Sequence, residues 1–207
     1  KCVRCRTCGG FPCKVLAKVD ARTAALNKAE TFANVDLETG RRALRIETDA
    51  SGKTATAVVT AGVAGEERYT ADIIVTSAGA ANSAALWLAS ANGAHPGGLA
   101  NSSGLVGRNY MFHNSSAVIA IGFDHFQSDF PKTMCVNDFY FGDPAGGFDY
   151  PMGQIQMLEY MSGPTIEGQV ADLLPPALFP DFLSNALASR LISFLAISED
   201  LPNPDNR

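Results

Sequence analysis

Apolar and polar positions change their period several times along this chain, and each change predicts a different element. From Lys14 to about Glu30, KVLAKVDARTAALNKAE, the residues Val15, Leu16, Val19, Thr23, Leu26 and Lys28 approximate a one-sided stripe, and alanine is abundant, so a helix is predicted. VDLETG and RRALRIETD are short extended segments separated by Gly40, DASGK is a turn, and TATAVVTAG reads as the returning strand of a hairpin. After a second turn, GVAGEE, the segment ERYTADIIVTSAGA alternates and then ends on Ile73-Ile74-Val75, a continuous apolar run of the kind that forms a strand buried on both faces. Ser77, Ala78, Gly79 and Ala80 follow, and AANSAALWLASAN, with Leu86, Trp87 and Leu88, reads as a helix. A strand, a turn without bulky side chains and a helix let a backbone approach a cofactor closely. An ordinary strand-to-helix turn has the same pattern.

Beyond Asn92 the pattern dissolves into GAHPGGLANSSGLVGRN, a glycine- and asparagine-rich loop with a domain boundary near its end. SSAVIAIGF, TMCVNDFYF and QIQMLEYM then read as strands separated by turns such as GDPAGG. ADLLPPALFPDFLSNALASR holds one helix after Pro180, because Pro175-Pro176 prevents a longer one. LISFLAIS reads as a last buried strand. The predicted class is α/β followed by α+β rich in antiparallel strands, with a first domain over 1–113 and a second over 114–207.

Composition removes several function classes. A hydrophobic content of 46% with 18% charged residues describes a chain with a real core. Sixteen basic against 21 acidic residues, a net charge of −5 and no basic stripe argue against nucleic acid as a partner. No apolar run approaches the roughly 20 residues a membrane-spanning helix needs. KCVRCRT has no signal-peptide core, so any export signal would precede Lys1, and the compartment, cytoplasmic or periplasmic, stays open. The absence of an initiating methionine and the exposed turn at PNPDNR make both ends look cut, and a fragment of a longer protein is expected.

Four of five cysteines fall in CVRCRTCGGFPC, with spacing C-x2-C-x2-C-x4-C. Iron–sulfur ligation uses comparable runs, structural zinc wants two separated C-x2-C pairs, and a disulfide knot is the third alternative; the spacing does not choose among them. Cys135 reads as a small core residue in a strand. His95 reads as a surface residue, His125 as part of a solvated turn beside two acids, and His113 as the histidine in the most suggestive surroundings. No G-x-S-x-G elbow, H-E-x-x-H zinc site, P-loop or complete G-x-G-x-x-G is present, and no catalytic residue or metal ligand set is assigned.

Three stretches together resemble one family, the glucose–methanol–choline (GMC) flavoprotein oxidoreductases. ADIIVTSAGAANSAALWLASANG, Ala71 to Gly93, is similar to the family's second signature, with Ala84 where a proline usually follows Ser83 and Ala91-Asn92-Gly93 in place of the usual Ser-Gly ending. LVGRNYMFHNS resembles its V-G-R-N-L-x-x-H, and ISEDLPNPDNR its Glu-Asp-x-Pro stretch ending in Asn-Arg. The cysteine segment resembles one preceding the cofactor-domain helix in a bacterial dehydrogenase branch.

The resemblance implies FAD in a Rossmann-like domain and a second, antiparallel-sheet domain where an alcohol, polyol or sugar hydroxyl is oxidised. It implies a base, usually a histidine, in a C-terminal part that does not occur in these 207 residues. An N-terminal glycine fingerprint for the pyrophosphate is equally missing, so the chain resembles the middle of such an enzyme and is expected to be inactive alone. Carried over by position, Ala43 would lie against the adenine side, backbone at Ser77, Ala78 and Gly79 would support the adenosine, and Asn109 and His113 would lie near the junction of the two domains. An iron–sulfur cluster at Cys2, Cys5, Cys8 and Cys13, as in some related sugar dehydrogenases, stands as one alternative, and reduced or disulfide-linked cysteines as the other. The expected partners are a small alcohol or sugar and an electron acceptor. Two competing readings remain: a small electron-transfer or interaction protein built on the cysteine cluster, and an α/β binding domain without catalysis.

Overall fold

The central hairpin forms where turn chemistry demands it. In the computed structural model, which describes residues 1–5, 12–126, 132–158, 161–170 and 180–206, β1 (Arg42–Thr48) and β2 (Ala55–Gly62) pair antiparallel across the predicted DASGK turn. Asp49 nucleates that turn: its Oδ1 accepts the Lys53 and Thr54 backbone N–H groups at 3.1 and 3.4 Å and the Ser51 hydroxyl at 2.9 Å. A second hairpin adds β3 (Gly65–Thr70), giving a three-stranded sheet in the order β1-β2-β3. The helix predicted after it is α2 (Ala80–Ala89), and an earlier single turn is α1 (Asn27–Ala29).

The chain divides into two units by internal packing. One comprises Lys1–Ala29 with Phe112–Asp200, and the other Glu30–Met111 with Leu201–Arg207. In the unit holding α2, the helix is tied to β1 through Ser90, whose buried hydroxyl accepts the Ile46 N–H at 2.8 Å and donates to the Leu86 carbonyl at 2.6 Å. Asn92 Nδ2 donates to Thr48 Oγ1 at 3.3 Å, and His95 Nε2 donates to the Gly52 carbonyl at 2.7 Å, so His95 anchors the hairpin turn.

The other unit holds a four-stranded antiparallel sheet in the order β4-β7-β6-β5: β4 (Asn114–Ile121), β5 (Cys135–Val136), β6 (Gln154–Met157) and β7 (Leu191–Ser198). Two helices, α3 (Gly163–Val170) and α4 (Asp181–Ala188), pack together and bury Ile166 and Ala188 against Leu191. The helix predicted after Pro180 is α4; α3 has no counterpart in the sequence reading, because GPTIEGQV carries little helical periodicity.

Several expectations are corrected. The helix over Lys14–Glu30 starts late: Leu16 takes a left-handed φ of 50°, and helical structure begins only at Arg22–Leu26, a π-type turn leading into α1. The cause is a reciprocal cap, with Thr23 N–H on Asp20 Oδ1 at 2.7 Å and Asp20 N–H on Thr23 Oγ1 at 2.9 Å, which fixes the start at Asp20. VDLETG is not a strand among the described residues. Ile73-Ile74-Val75 joins no sheet, and Ile73 and Val75 are 81% and 79% exposed, since both described sheets are antiparallel and offer this run no parallel neighbour. TMCVNDFYF pairs only at Cys135–Val136, and Cys135 is exposed, because β5 lies at the sheet edge. No helix of the described residues is long and apolar enough to cross a membrane.

Candidate functional site

Small residues shape the turn that leads into α2. Gly79 stands at its corner with φ 84° and ψ 166°, a conformation that L side chains rarely adopt, and no atom lies within 4 Å of the place a Cβ would occupy. Ser77, Ala78 and Gly79 are all exposed. The corner is held from the helix side, with Ala78 N–H donating to Ser83 Oγ at 3.1 Å and Ser83 N–H to the Gly79 carbonyl at 2.9 Å. Trp87 Nε1–H adds a bond to Thr76 Oγ1 at 3.3 Å. No side chain caps the helix N-terminus, so its first N–H groups face outward beside an open glycine. A flat polar ligand can lie against that main chain without meeting a Cβ.

Ala43 lies in β1, opposite Thr60, where a register shift between Ala43 and Arg45 bulges the strand. No described hydrogen bond joins it to the Ser77–Gly79 turn. Asn109 belongs to the same unit and takes a left-handed φ of 55°. Its neighbours are pinned: Tyr110 N–H donates to the Asn206 carbonyl at 3.3 Å, Asn206 Nδ2 to the Tyr110 carbonyl at 3.2 Å, and an Arg108 guanidinium N–H to the Pro204 carbonyl at 3.2 Å. LVGRNY and LPNPDN, which the sequence reading treated as separate motifs, are thereby brought together. His113 lies in the other unit and is exposed.

Among the cysteines, Cys2 and Cys13 are free thiols, Cys5 is exposed, and Cys8 lies outside the described residues. Cys13 Sγ accepts the Ala17 N–H at 3.2 Å, and backbone N–H groups of Ala17, Lys18 and Val15 hold its thiol below the ordinary value. Among the described residues no group of three or more His, Cys, Asp or Glu side chains is arranged to hold a metal, so an iron–sulfur cluster has no support. His125 bonds through Nδ1 to Ser189 Oγ at 2.7 Å, a contact with the end of α4.

Sequence reasoning missed one further feature, a cavity of about 320 Å³ on the four-stranded sheet. Asn114, Ser116 and Ser198 line one part, and Val136, Phe139 and Ile155 another. The two-residue period of a strand puts Asn114 and Ser116 on one face, but only the β4–β7 register, Asn114 opposite Ser198 and Ser116 opposite Ala196, sets them beside those neighbours.

Comparisons with known proteins bear on most of the chain. It is 28% identical over 177 residues to a protein of Mycolicibacterium austroafricanum named 2-methyl-1,2-propanediol dehydrogenase, a match covering 83% of this chain and 32% of that protein. The chain therefore spans about a third of the length of this curated relative. A family model described as GMC oxidoreductase matches residues 1–115, more than half of the chain and the part that holds the Gly79 corner. The chain belongs to the GMC oxidoreductase family.

Proposed function

We propose that the whole protein oxidises the C–OH group of an alcohol, polyol or sugar with FAD as its cofactor. Membership of the GMC family implies FAD and oxidoreduction in general; the substrate class and the roles of individual residues are our reading. The observation that carries it is the open corner at Gly79, whose missing Cβ and exposed main chain fit a nucleotide lying flush on the backbone.

Main chain at Ser77, Ala78 and Gly79 would hold the adenosine side, with Ala43 as a second backbone contact. Asn109 and His113 would serve the side nearer the substrate, and the sheet β4-β7-β6-β5 would bind the substrate itself. Bound FAD supplies the two-electron acceptor for a carbinol hydride. The work of this chain is binding and orientation; no residue in it is assigned the removal of the hydroxyl proton.

The test is anaerobic addition of alcohols to the full-length protein. The relative's name makes 2-methyl-1,2-propanediol the first probe, followed by glycerol and glucose. The expected result is a yellow protein with extractable FAD whose absorbance bleaches with at least one of them. Gly79→Val should lower the ratio of FAD to protein at least fivefold, because the new side chain would stand between backbone and ligand. A colourless protein, or a flavin that no alcohol reduces, overturns the proposal.

A further inference from the structure

The four-stranded sheet has two unlike faces. α3 and α4 pack on the face that carries Leu191. The strand register puts Asn114, Ser116, Ala196, Ser198, Ile155 and Val136 on the opposite face, and the cavity lies there. Among the described residues, none that lines it is charged. An anionic ligand would find no cation and an amine no carboxylate, so burying either here would be unfavourable. The cavity is at the small end of ligand sites, which run from about 300 to 1,000 Å³. Such a lining suits a compact, neutral ligand.

The polar part sharpens the ligand class. Among the described residues, neither the Asn114 amide nor the Ser116 hydroxyl makes a side-chain hydrogen bond. Each group both donates and accepts, as an alcohol does. They are two positions apart on β4, about 7 Å along the strand. One hydroxyl bonding each at about 2.8 Å spans too little to satisfy both, whereas two neighbouring hydroxyls fill the gap. Ser198, directly opposite Asn114, already donates its hydroxyl to the Asn114 carbonyl at 3.3 Å and has lone pairs left to accept. Val136, Phe139 and Ile155 provide an apolar wall for the carbon skeleton.

We infer that this cavity binds a compact, neutral vicinal diol, with Asn114 and Ser116 reading the adjacent hydroxyls. The inference rests on the oxidoreductase reading above and narrows its substrate class. It assigns these two residues to specificity.

The experiment uses the full-length holoenzyme and two tertiary alcohols that cannot be oxidised, because their carbinol carbons carry no hydrogen. Pinacol presents two adjacent hydroxyls and tert-butanol one. Titration calorimetry should give pinacol at least tenfold tighter binding than tert-butanol. Asn114→Ala and Ser116→Ala should each reduce that preference about fivefold, as loss of one neutral hydrogen bond predicts. The ratio of kcat/KM for 1,2-propanediol over 1-propanol should fall by a similar factor, chiefly through KM. Equal binding of pinacol and tert-butanol, or variants that leave the preference unchanged, overturns the inference. Calorimetry does not depend on turnover, so a holoenzyme that binds pinacol selectively but is reduced by no alcohol would overturn the oxidoreductase reading and keep the diol site. A holoenzyme that is reduced by alcohols but makes no distinction between the probes would do the reverse.

Discussion

The two sheets of this protein are built from opposite materials. The strands β1, β2 and β3 carry six charged residues, Arg42, Arg45, Glu47, Glu66, Glu67 and Arg68, whereas β4, β5, β6 and β7 carry none. In the charged sheet, register places Arg45, Val59 and Arg68 side by side on one face. The ion pairs Arg45–Glu66 (3.2 Å) and Arg68–Glu47 (2.7 Å) cross over the central strand, and Val59 beneath them is only 3% exposed. Aliphatic stems of arginine cover apolar surface while their heads stay in water, so this face is finished as it stands. In the neutral sheet every residue of the edge strand β4 is exposed, including Val118, Ile119 and Ile121. The face around Val59 is covered by the protein's own charged side chains, whereas a neutral exposed face offers a place for a ligand.

The largest effect tests how tightly the neutral sheet is held together. Gly153, just before β6, has φ 88°, and a Cβ there would collide with the Ile197 carbonyl oxygen. Gly153→Ala should cost about 3 kcal/mol or more by urea unfolding, because both the strained φ and the backbone clash act against the β6–β7 pairing. It should also distort the diol cavity, which Gly153 lines. Next in size comes a direct contrast between valines. Val59→Ala should cost about 2 kcal/mol, since the arginine cover cannot collapse fully into the gap. Val118→Ala, at a position 52% exposed, should stay within about 0.5 kcal/mol. Equal costs at the two sites would erase the distinction drawn between the sheets.

A smaller change tests how the charged sheet is tied to α2. Ser90 is 2% exposed and satisfies the Ile46 N–H of the outer strand β1. Ser90→Ala leaves that donor without its partner, and a loss of about 1–2 kcal/mol is expected. Hydrogen exchange at Ile46 should accelerate more than at Val58 on β2.

What the sequence disclosed follows from how local each signal is. The DASGK turn, β1, β2 and α4 were legible because a turn residue or a proline at one position determines them, and α2 because its alanine- and leucine-rich run reads as a helix. The family was legible too, from three motifs in a shared order. Ile73–Val75 misled because an apolar run states that burial is wanted without naming what supplies it. The cavity was invisible for the same reason in reverse. Asn114 and Ser116 look like ordinary strand polars until the pairing with β7 sets them beside Ser198 and Ala196, and that register is a long-range fact. The roles given to Ala43, Ser77, Ala78, Gly79, Asn109 and His113 came through the resemblance, so they rest on position rather than on any local chemical signal.

The smallest effect separates the sheets by pH. The Arg68 hydrogen bond holds the Glu47 carboxyl below the ordinary glutamate range, and the Arg41 hydrogen bond, followed by that of Tyr69, does the same for Glu67. A carboxyl depressed in the folded state contributes stability that is fully present above its unfolded pKa, about 4.3, and is lost as pH falls through the lower folded value. Acidification from pH 6 to 3 should therefore weaken protection of the β2 amides, corrected for intrinsic exchange. The β7 amides should lack this dependence, because no carboxylate or histidine lies in the strands of their sheet. Glu47→Gln separates the ion pair from a general effect of acid. The variant should be less stable than the parent at pH 7, where the parent's carboxylate is charged, and the two should converge as pH falls through the lowered folded value and the carboxyl takes up its proton. A difference that stays constant across that range would show that Glu47 acts through packing, and the charged cover over Val59 would lose its electrostatic part.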